Sequence, residues 1–339
     1  MLLFLIAIAL LAGGTATLVT VAWIAPPLIR ESVFSQRGNG RAASNALDPT
    51  VMSDSRQRVI SIFDSSKKVN GAVYPRPALA GYAALLSSDG WAVTAATYRP
   101  GKEKNWEGID HQGIVHKIEQ VVEDRVSHLT YIKFGGTGFR LMAFAPWDTI
   151  DIGVMLWSLN GRNVPIHQTD WKLVTVADPA LSADNNPYPI WQPVQSYRLE
   201  PHAEAGAIVI NDRGELAGFA DEKGAFIGGW LVEGQLSRLL SSAPLRYDSV
   251  PWEGYMIAGV AMNGVVKTNP GFYVAKSAAA PVNLVRKGDI VLRIGSRLVD
   301  AVSLPRALLL APAEFPVTIW RGGQEKEITV KKAAQTVGY

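Results

Sequence analysis

The sequence predicts a mainly β protein with an apolar N-terminal segment, and three observations support this fold class. Short apolar runs are separated by turns rich in Gly, Pro, Asn and Asp, which is typical of an all-β barrel or sandwich. Residues 1–29 carry no charged side chain. In the β-rich first half that follows, only residues 229–242 place their apolar side chains at convincing helical spacing.

The composition bounds the class of protein. A chain of 339 residues with 48% apolar and 19% charged residues can form two domains with packed cores. A net charge of +3 without a basic cluster excludes nucleic acid as an expected partner. The chain has no Cys, and its five His show no ligand spacing. We therefore expect no disulfide, no metal and no cofactor.

The N-terminal segment 1–29 predicts a transmembrane helix that anchors the protein in the cell membrane as a single-pass protein. Roughly 20 apolar residues span a bilayer, and this run is longer. A cleaved signal peptide is the first alternative, but its apolar core would be shorter and would follow basic residues. A buried core helix is the second. Arg30, Arg37 and Arg41 follow the segment, so the positive-inside rule places the globular part in the cytoplasm.

The rest of the chain divides into a linker and two units. Residues 30–57 are polar and predict a linker, with regular structure beginning near Arg58. The first unit covers 58–243 and contains the helix at 229–242. Its predicted strands are 59–63, 82–86, 91–95, 113–122, 129–134, 140–145, 152–157, 173–177, 196–199, 207–210 and 216–219.

Residues 241–251 predict an interdomain linker, and 252–332 a second unit. Its predicted strands lie within 254–261 and at 271–276, 290–294, 297–299, 317–321 and 325–330. Its predicted helices are 277–284 and 304–310, the second with Ser303 as a cap.

The stretch Glu200–Ala220 is the most informative part of the first unit. Two apolar runs flank Asn211–Gly214, and Asn and Gly tolerate the positive φ of a hairpin turn. The preceding loop, His202–Gly206, consists mostly of small residues. No Ser, Cys or Thr occurs from Leu199 to Gly214.

The second unit resembles a PDZ domain of the HtrA type. Residues 277–299, SAAAPVNLVRKGDIVLRIGSRLV, follow the family pattern S-P-A-x-x-A-G-L-x-x-G-D-x-I-x-x-I-x-G. Gly288-Asp289-Ile290 and Ile294-Gly295 match closely. The Gly that the family places after the helix is absent near Asn283, so the helix end differs.

Four segments of the first unit resemble the protease domain of HtrA/Deg serine proteases. Ser87–Thr97 is similar to S-S-D-G-x-I-L-T-N-N-H, and Asp151–Leu156 to D-L-A-V-L-K. Val174–Pro179 is similar to V-x-A-I-G-N-P, and Glu200–Ala220 occupies the place of the nucleophile loop. The resemblance extends over Val59–Val330. It implies a trypsin-like double β-barrel followed by a PDZ domain, and it places the globular part outside the cytoplasm.

The resemblance also indicates that the catalytic triad is broken. Asp151 stands at the carboxylate position, but Thr97 stands at the imidazole position and cannot act as a general base near neutral pH. Ala205 stands at the nucleophile position when counted back from Asn211, and Glu204 when counted forward from Pro201. We therefore expect no catalytic residues and a pseudoprotease.

Other residues near the site have simpler interpretations. The oxyanion loop has Ala207 and Ile208 where the family has Gly and Pro, so its backbone shape is expected to differ. Asp151 without its partner is expected to satisfy a turn. His202 is expected at the surface. A site role for His111 or His116 would need a large loop excursion.

The resemblance to a PDZ domain implies binding of peptide C-termini. Such domains add a peptide as an extra strand and hold its carboxylate with backbone N–H groups. The predicted binding residues are Ile257, Ala258, Gly259, Val260, Leu304 and Leu308. Alternatively, Gly259 only permits a turn.

Three functions remain open from the sequence. The first is a membrane-anchored, non-catalytic scaffold or sensor that binds peptide C-termini or partner subunits; the family resemblance implies a homotrimer as one assembly. The second is an active serine endopeptidase with a rearranged site. The third is a structural accessory subunit of a membrane complex.

Overall fold

The structure is a computed structural model in which residues 1–45 and 46–339 form two units. The described residues all belong to the second unit; they are 46–95, 105–160, 170–177, 188–189, 197–221, 225–257, 259–262, 265–267, 271–277, 284–299 and 303–334. Within these ranges no helix has the length and apolarity to cross a bilayer. The predicted anchor at 1–29 lies outside them and stays a prediction.

Six strands close into a first barrel in the order β1-β2-β3-β6-β5-β4. They are β1 Val59–Asp64, β2 Leu79–Leu85, β3 Trp91–Thr94, β4 Trp106–Ile109, β5 Val115–Asp124 and β6 Leu129–Phe134. Side chains alternate between the two faces of a strand. Ile60, Leu85 and Phe134 therefore belong to one apolar cluster, while Val59 and Tyr131 belong to the larger cluster that also holds the core of the second barrel.

The second barrel has the strand order β10-β13-β12-β11-β7-β8. Its strands are β7 Met155–Asn160, β8 Asp170–Ala177, β10 Tyr197–Glu200, β11 Ile208–Ile210, β12 Leu216–Ala220 and β13 Ala225–Gly228. Helix α2, Trp230–Leu240, follows β13. The short strand β9, Tyr188–Pro189, lies between β8 and β10 in the chain but joins a different sheet.

That different sheet is formed mainly by the C-terminal residues, in the order β22-β21-β19-β18-β15-β9 with β20 paired to β19. Helix α3, Ser303–Leu310, contributes buried side chains to the core of this sheet. The other strands are β15 Trp252–Ile257, β18 Gly271–Ser277, β19 Ile290–Ile294, β20 Arg297–Leu298, β21 Glu314–Arg321 and β22 Gln324–Lys331. Two small pairs complete the fold, β14 Asp248–Ser249 with β23 Ala333–Ala334, and β16 Val260–Met262 with β17 Val265–Lys267.

The mainly β class and the pair of barrels are confirmed, and the strands at 129–134 and 290–294 have the predicted bounds. The prediction that 30–57 is a linker is wrong at its end, because Pro49–Arg56 forms helix α1. The Asp48 side chain accepts a hydrogen bond from the Thr50 N–H at 2.8 Å, and Pro49 occupies the first turn. An acidic cap followed by Pro indicates the start of a helix. The linker was predicted from the polar composition alone, so this signal was missed.

The predicted strand at 140–145 is also wrong. Phe144 makes one isolated bridge to Leu216, and the Met142 N–H donates to the Leu85 carbonyl at 2.8 Å. The segment therefore connects the two barrels instead of joining a ladder. The predicted helix at 277–284 cannot begin at Ser277, which ends β18, and residues 278–283 lie outside the described ranges.

The predicted interdomain linker, residues 241–251, is hydrogen-bonded to α2 and to the end of β5. Buried Gln235 of α2 donates to the Arg246 carbonyl at 2.8 Å and accepts from the Arg246 N–H at 3.1 Å. Tyr247 is buried, and its hydroxyl donates to the buried carboxylate of Asp124 at the end of β5. Asp124 also accepts from the Ser127 hydroxyl at 2.6 Å. The linker therefore closes a buried polar cluster on the first barrel.

We expect Tyr247→Phe to lower the free energy of unfolding by about 1–3 kcal/mol, because the buried carboxylate of Asp124 loses one donor. Thermal unfolding of the full-length protein, followed by near-UV circular dichroism, measures the change. Tyr255→Phe is the matched control. Tyr255 is 38% exposed, so its loss of a hydroxyl should cost less than about 0.5 kcal/mol. Equal stability of the two variants would contradict the assignment.

Lys332 closes the C-terminal end of α3. Its Nζ donates to the carbonyl oxygens of Leu309 at 2.8 Å and Ala311 at 2.5 Å. Burial lowers the pKa of Lys332 from 10.5 to about 8. The unfolded chain therefore binds this proton more tightly than the folded chain does.

Stability should consequently rise between about pH 8 and pH 10.5 through this group, since the unfolded state holds more protons there. The free energy of unfolding of the wild type minus that of Lys332→Met should be larger at pH 10 than at pH 7.5. Denaturant unfolding at both pH values measures this difference. A difference that is unchanged or falls as the pH rises would show that Lys332 does not titrate in this way.

Candidate functional site

The loop between β10 and β11 carries the predicted nucleophile position and is held by the backbone of β12. The Gly206 N–H donates to the Ala220 carbonyl at 2.8 Å, and the Ala220 N–H donates to the Ala207 carbonyl at 2.9 Å. Gly206 has a φ of +78°, which a residue with a Cβ rarely adopts. The Ala207 N–H closes a turn on the Glu204 carbonyl at 3.0 Å. The position of Ala205 is therefore set by main-chain bonds on both sides.

The hairpin after this loop has the predicted turn. The Asn211 Oδ1 accepts from the N–H groups of Arg213 and Glu215, both at 3.0 Å, and the Asn211 Nδ2 donates to the Glu215 side chain at 2.7 Å. Gly214 has a φ of +75°, and a Cβ there would lie 2.6 Å from the Ser55 hydroxyl of α1. The pattern N-x-x-G-E thus fixes the turn and lets α1 pack against it.

A small cavity adjoins Ala205 where the two barrels meet. It has a volume of about 20 Å³, room for about one water molecule. Its lining comes from β2, β7 and the loop; the residues are Leu79, Ala80, Gly81, Tyr82, Leu159, Glu204, Ala205, Gly206 and Ala207.

The lining contains one hydroxyl group, the phenol of Tyr82. Burial raises the pKa of Tyr82 above its ordinary value, and the nearby carboxylate of Glu204 raises it further. The phenol therefore stays protonated near neutral pH and is a poor nucleophile. Ala205 itself presents only a methyl group. The cavity can hold a water molecule but offers no activated attacking group.

Asp151 lies in an exposed turn. Its Oδ1 accepts from the Ile152 N–H at 2.7 Å, and its carbonyl accepts from the Val154 N–H at 3.1 Å. Gly153 has a φ of +82° and completes the turn. This agrees with the expectation that Asp151 satisfies a turn. Thr97, predicted at the imidazole position, lies outside the described residues.

Three histidines that the sequence analysis considered lie in the described residues. His202 is exposed. His116 has one ring nitrogen 3.0 Å from the Asp110 carboxylate and the other 2.9 Å from the Gly135 carbonyl. His111 is exposed in the turn before β5. Within the described ranges, no group of three or more His, Asp or Glu side chains could hold a metal ion.

Arg306 of α3 is a residue that the sequence analysis missed. It is 3% exposed, and its guanidinium lies 4.1 Å from the ring centre of Trp230 and 4.9 Å from that of Tyr197. Its Nη1 donates to the carbonyl oxygens of Trp147 and Ile150. These carbonyls belong to the turn before Asp151. In the sequence, Arg306 is the one charged residue of the apolar run LPRALLL, and this could have indicated a buried cation.

Three of the six predicted peptide-binding residues lie in two separate apolar clusters. Leu304 and Leu308 are each 1% exposed and pack in the core beneath the C-terminal sheet. Ile257 packs instead with Ile290, Leu292 and Trp320. Gly259 is half-buried, Val260 begins β16, and Ala258 lies outside the described residues. A groove that uses all of these residues stays a prediction.

Comparisons with known proteins reveal the fold. No protein-family model and no curated protein matches this sequence. The solved structure "HtrA-type protease AlgW with tripeptide" matches with a TM-score of 0.50 and 14% identity, over 84% of this chain and 96% of that chain. "HtrA-type protease AlgW with decapeptide" has a TM-score of 0.48 and 14% identity, over 84% and 98%. The serine endoprotease from Yersinia pestis has a TM-score of 0.43 and 16% identity, over 85% and 99%.

The two closed six-stranded barrels thus form a trypsin-like fold. More specifically, the fold is that of HtrA-type proteases, as in the AlgW structure with tripeptide. At this sequence identity the likeness shows the fold alone.

We expect Arg306→Met to lower the free energy of unfolding by about 2–3 kcal/mol. The carbonyls of Trp147 and Ile150 lose their donor, and two desolvated cation–π contacts are lost. Amide hydrogen exchange of residues 147–154 should rise as well.

Arg297→Met is the control for this prediction. Arg297 lies over the ring of the same Trp147 and pairs with Asp148 at 3.1 Å, but both charged side chains are more than 40% exposed. Its loss should cost about 1 kcal/mol or less. Wild-type exchange at residues 147–154 in Arg306→Met would contradict the conclusion that Arg306 holds this turn.

Proposed function

We propose that this chain is a membrane-anchored, non-catalytic HtrA-like protein that acts as a scaffold or sensor. It binds peptide C-termini or partner subunits through a PDZ domain at residues 252–332. The observation that carries the proposal is Ala205, the residue predicted at the nucleophile position, which presents only a methyl group in a loop held by main-chain hydrogen bonds.

The chemistry of acyl transfer supports this proposal. A Ser protease needs a nucleophile, a general base to take its proton and a carboxylate to orient the base. Asp151 is present, but its Oδ1 accepts from the adjacent Ile152 N–H in an exposed turn. Thr97 supplies no imidazole. Losing even one of these groups costs several orders of magnitude in rate.

The small cavity beside Ala205 also supports a non-catalytic role. Ala205 shares it with the Glu204 carboxylate and the buried phenol of Tyr82. A negative carboxylate beside the nucleophile position would oppose the developing oxyanion of a tetrahedral intermediate. The loop has therefore changed in a direction that disfavours proteolysis, beyond the loss of one hydroxyl.

The binding role rests on the C-terminal unit. It contains the G-D-I and I-G motifs, of which Asp289 is buried and accepts from the Arg286 N–H at 2.7 Å. The AlgW structure with the TM-score of 0.50 is that of the protease with a tripeptide, which supports a peptide as the ligand class here. The apolar residues 1–29 would keep this binding unit at the membrane surface.

We expect no labelling of the full-length protein by a fluorophosphonate probe and no cleavage of fluorescent casein. Ala205→Ser alone should also stay unlabelled, because Thr97 at the predicted base position has no imidazole to accept the proton of the hydroxyl. An active HtrA protease serves as the positive control for both assays. Labelling of one Ser in the wild type, together with cleavage that its substitution by Ala abolishes, would support the rearranged endopeptidase instead.

A further inference from the structure

His116 of β5 lies between two hydrogen-bond acceptors. Its Nδ1 is 2.9 Å from the Gly135 carbonyl oxygen, and its Nε2 is 3.0 Å from the Asp110 Oδ2. The side chains of His116 and Asp110 are only 13% and 14% exposed, so water has little access to this contact. A carbonyl oxygen can only accept a hydrogen bond, and so can an ionised carboxylate. Each ring nitrogen therefore needs its own proton if both hydrogen bonds are to form.

The Asp110 side chain is held as an acceptor by its own turn. Its Oδ1 accepts from the N–H groups of Gln112 and Ile114, both at 2.9 Å. Burial alone would raise the pKa of Asp110, but the hydrogen bonds from His116, Ile114 and Gln112 lower this pKa below its ordinary value. The carboxylate is therefore ionised at mildly acidic pH. Only the imidazolium form of His116 can then donate to Asp110 and Gly135 together.

The surroundings of the ring suit this charged form. The ring centre of Phe139 lies 4.8 Å from that of His116, and a cation within about 6 Å of an aromatic ring centre is stabilised by the ring. Gly136 has a φ of +120°, and a Cβ there would lie 3.3 Å from the His116 Nδ1. The glycine lets the backbone of residues 135–136 approach the ring.

The elements packed against His116 carry several other charged side chains, which are Asp89, Glu107, His111, Lys117, Glu119, Lys133 and Arg140. Four of them have ion-pair partners of their own, in the pairs Asp89 with Lys133, Glu107 with Lys68, and Arg140 with Asp54. The Glu119 carboxylate lies beside Gly135, where a Cβ would be 2.9 Å from its oxygen. Within the described residues, the ion-pair partner of His116 is Asp110.

The segment that His116 contacts leads from the first barrel to the second. The N–H groups of Gly138 and Phe139 donate to the Ser88 carbonyl at 2.9 and 3.2 Å. Residues 140–145 follow directly, and the N–H of Met142 donates to the Leu85 carbonyl at 2.8 Å. The Ala145 N–H then donates to the Leu216 carbonyl of β12 at 2.9 Å. A change in the hold on residues 135–139 therefore reaches the connection between the barrels.

We propose that Asp110, His116 and Gly135 form a pH-sensitive latch that holds residues 135–139 against the turn between β4 and β5. A neutral imidazole has one N–H and must give up one of the two acceptors. Since imidazole changes its charge between about pH 5 and pH 8, the latch is closed at mildly acidic pH and open at mildly basic pH. The latch does not depend on the peptide-binding role or on the catalytic state proposed above.

Amide hydrogen exchange of the full-length protein at pH 5.5 and pH 8 tests the latch. Protection factors are compared, because they remove the intrinsic effect of pH on exchange. We expect the protection of Gly138, Phe139 and Met142 to be at least about fivefold higher at pH 5.5, the ratio that corresponds to one lost hydrogen bond. Strands β18 and β19 are the internal reference, since residues 252–332 contain no His. Their protection should be equal at the two pH values.

Three variants assign the effect to the latch. His116→Gln cannot change its charge, so its protection at residues 138–142 should not depend on pH. His111→Gln is the matched control, because His111 is exposed in the same turn, and it should behave as the wild type does. Asp110→Asn keeps the Oδ1 acceptor for Gln112 and Ile114 but places an NH₂ group opposite the His116 Nε2. This amide can donate to a neutral ring, so the variant should keep its protection at pH 8.

Equal protection of residues 138–142 in the wild type at both pH values would overturn the proposal. A pH dependence that persists in His116→Gln would assign the titration to another group and overturn it as well. If His116→Gln does not fold, Asp110→Asn decides, because a merely structural contact predicts no gain of protection at pH 8 from an uncharged partner. A variant Asp110→Asn that loses protection at pH 8 as the wild type does would contradict the latch.

Discussion

The buried guanidinium of Arg306 is the interaction on which the arrangement of the site depends. Burying a cation away from water costs free energy. The Nε and Nη2 of Arg306 have no hydrogen-bond partner within the described part of the chain. Two aromatic rings and two carbonyl oxygens compensate. These partners come from β10, α2 and the turn before Asp151. One side chain of the C-terminal unit thus fixes the three segments of the second barrel around the candidate site.

The contacts that hold the candidate site are made by main-chain groups and by Arg306. The loop of Ala205 is held by main-chain bonds to β12, and the turn of Asp151 by its own backbone and by Arg306. None of these contacts needs a serine hydroxyl or an imidazole. The proposed absence of catalysis is therefore compatible with intact barrels and an intact loop, provided that the packing around Arg306 is retained.

Local pattern was sufficient for much of the β structure. Alternating apolar residues and the N-x-x-G-E turn predicted the hairpin of β11 and β12, because both signals depend on near neighbours in the chain. Helix α1 was missed because its cap, Asp48-Pro49, lies in a polar stretch. Strands β4 and β13 were missed because each has only four residues and one of them is a glycine, which is depleted in strands. Arg306 and β9 could not be inferred, since their partners are more than 60 residues away in sequence.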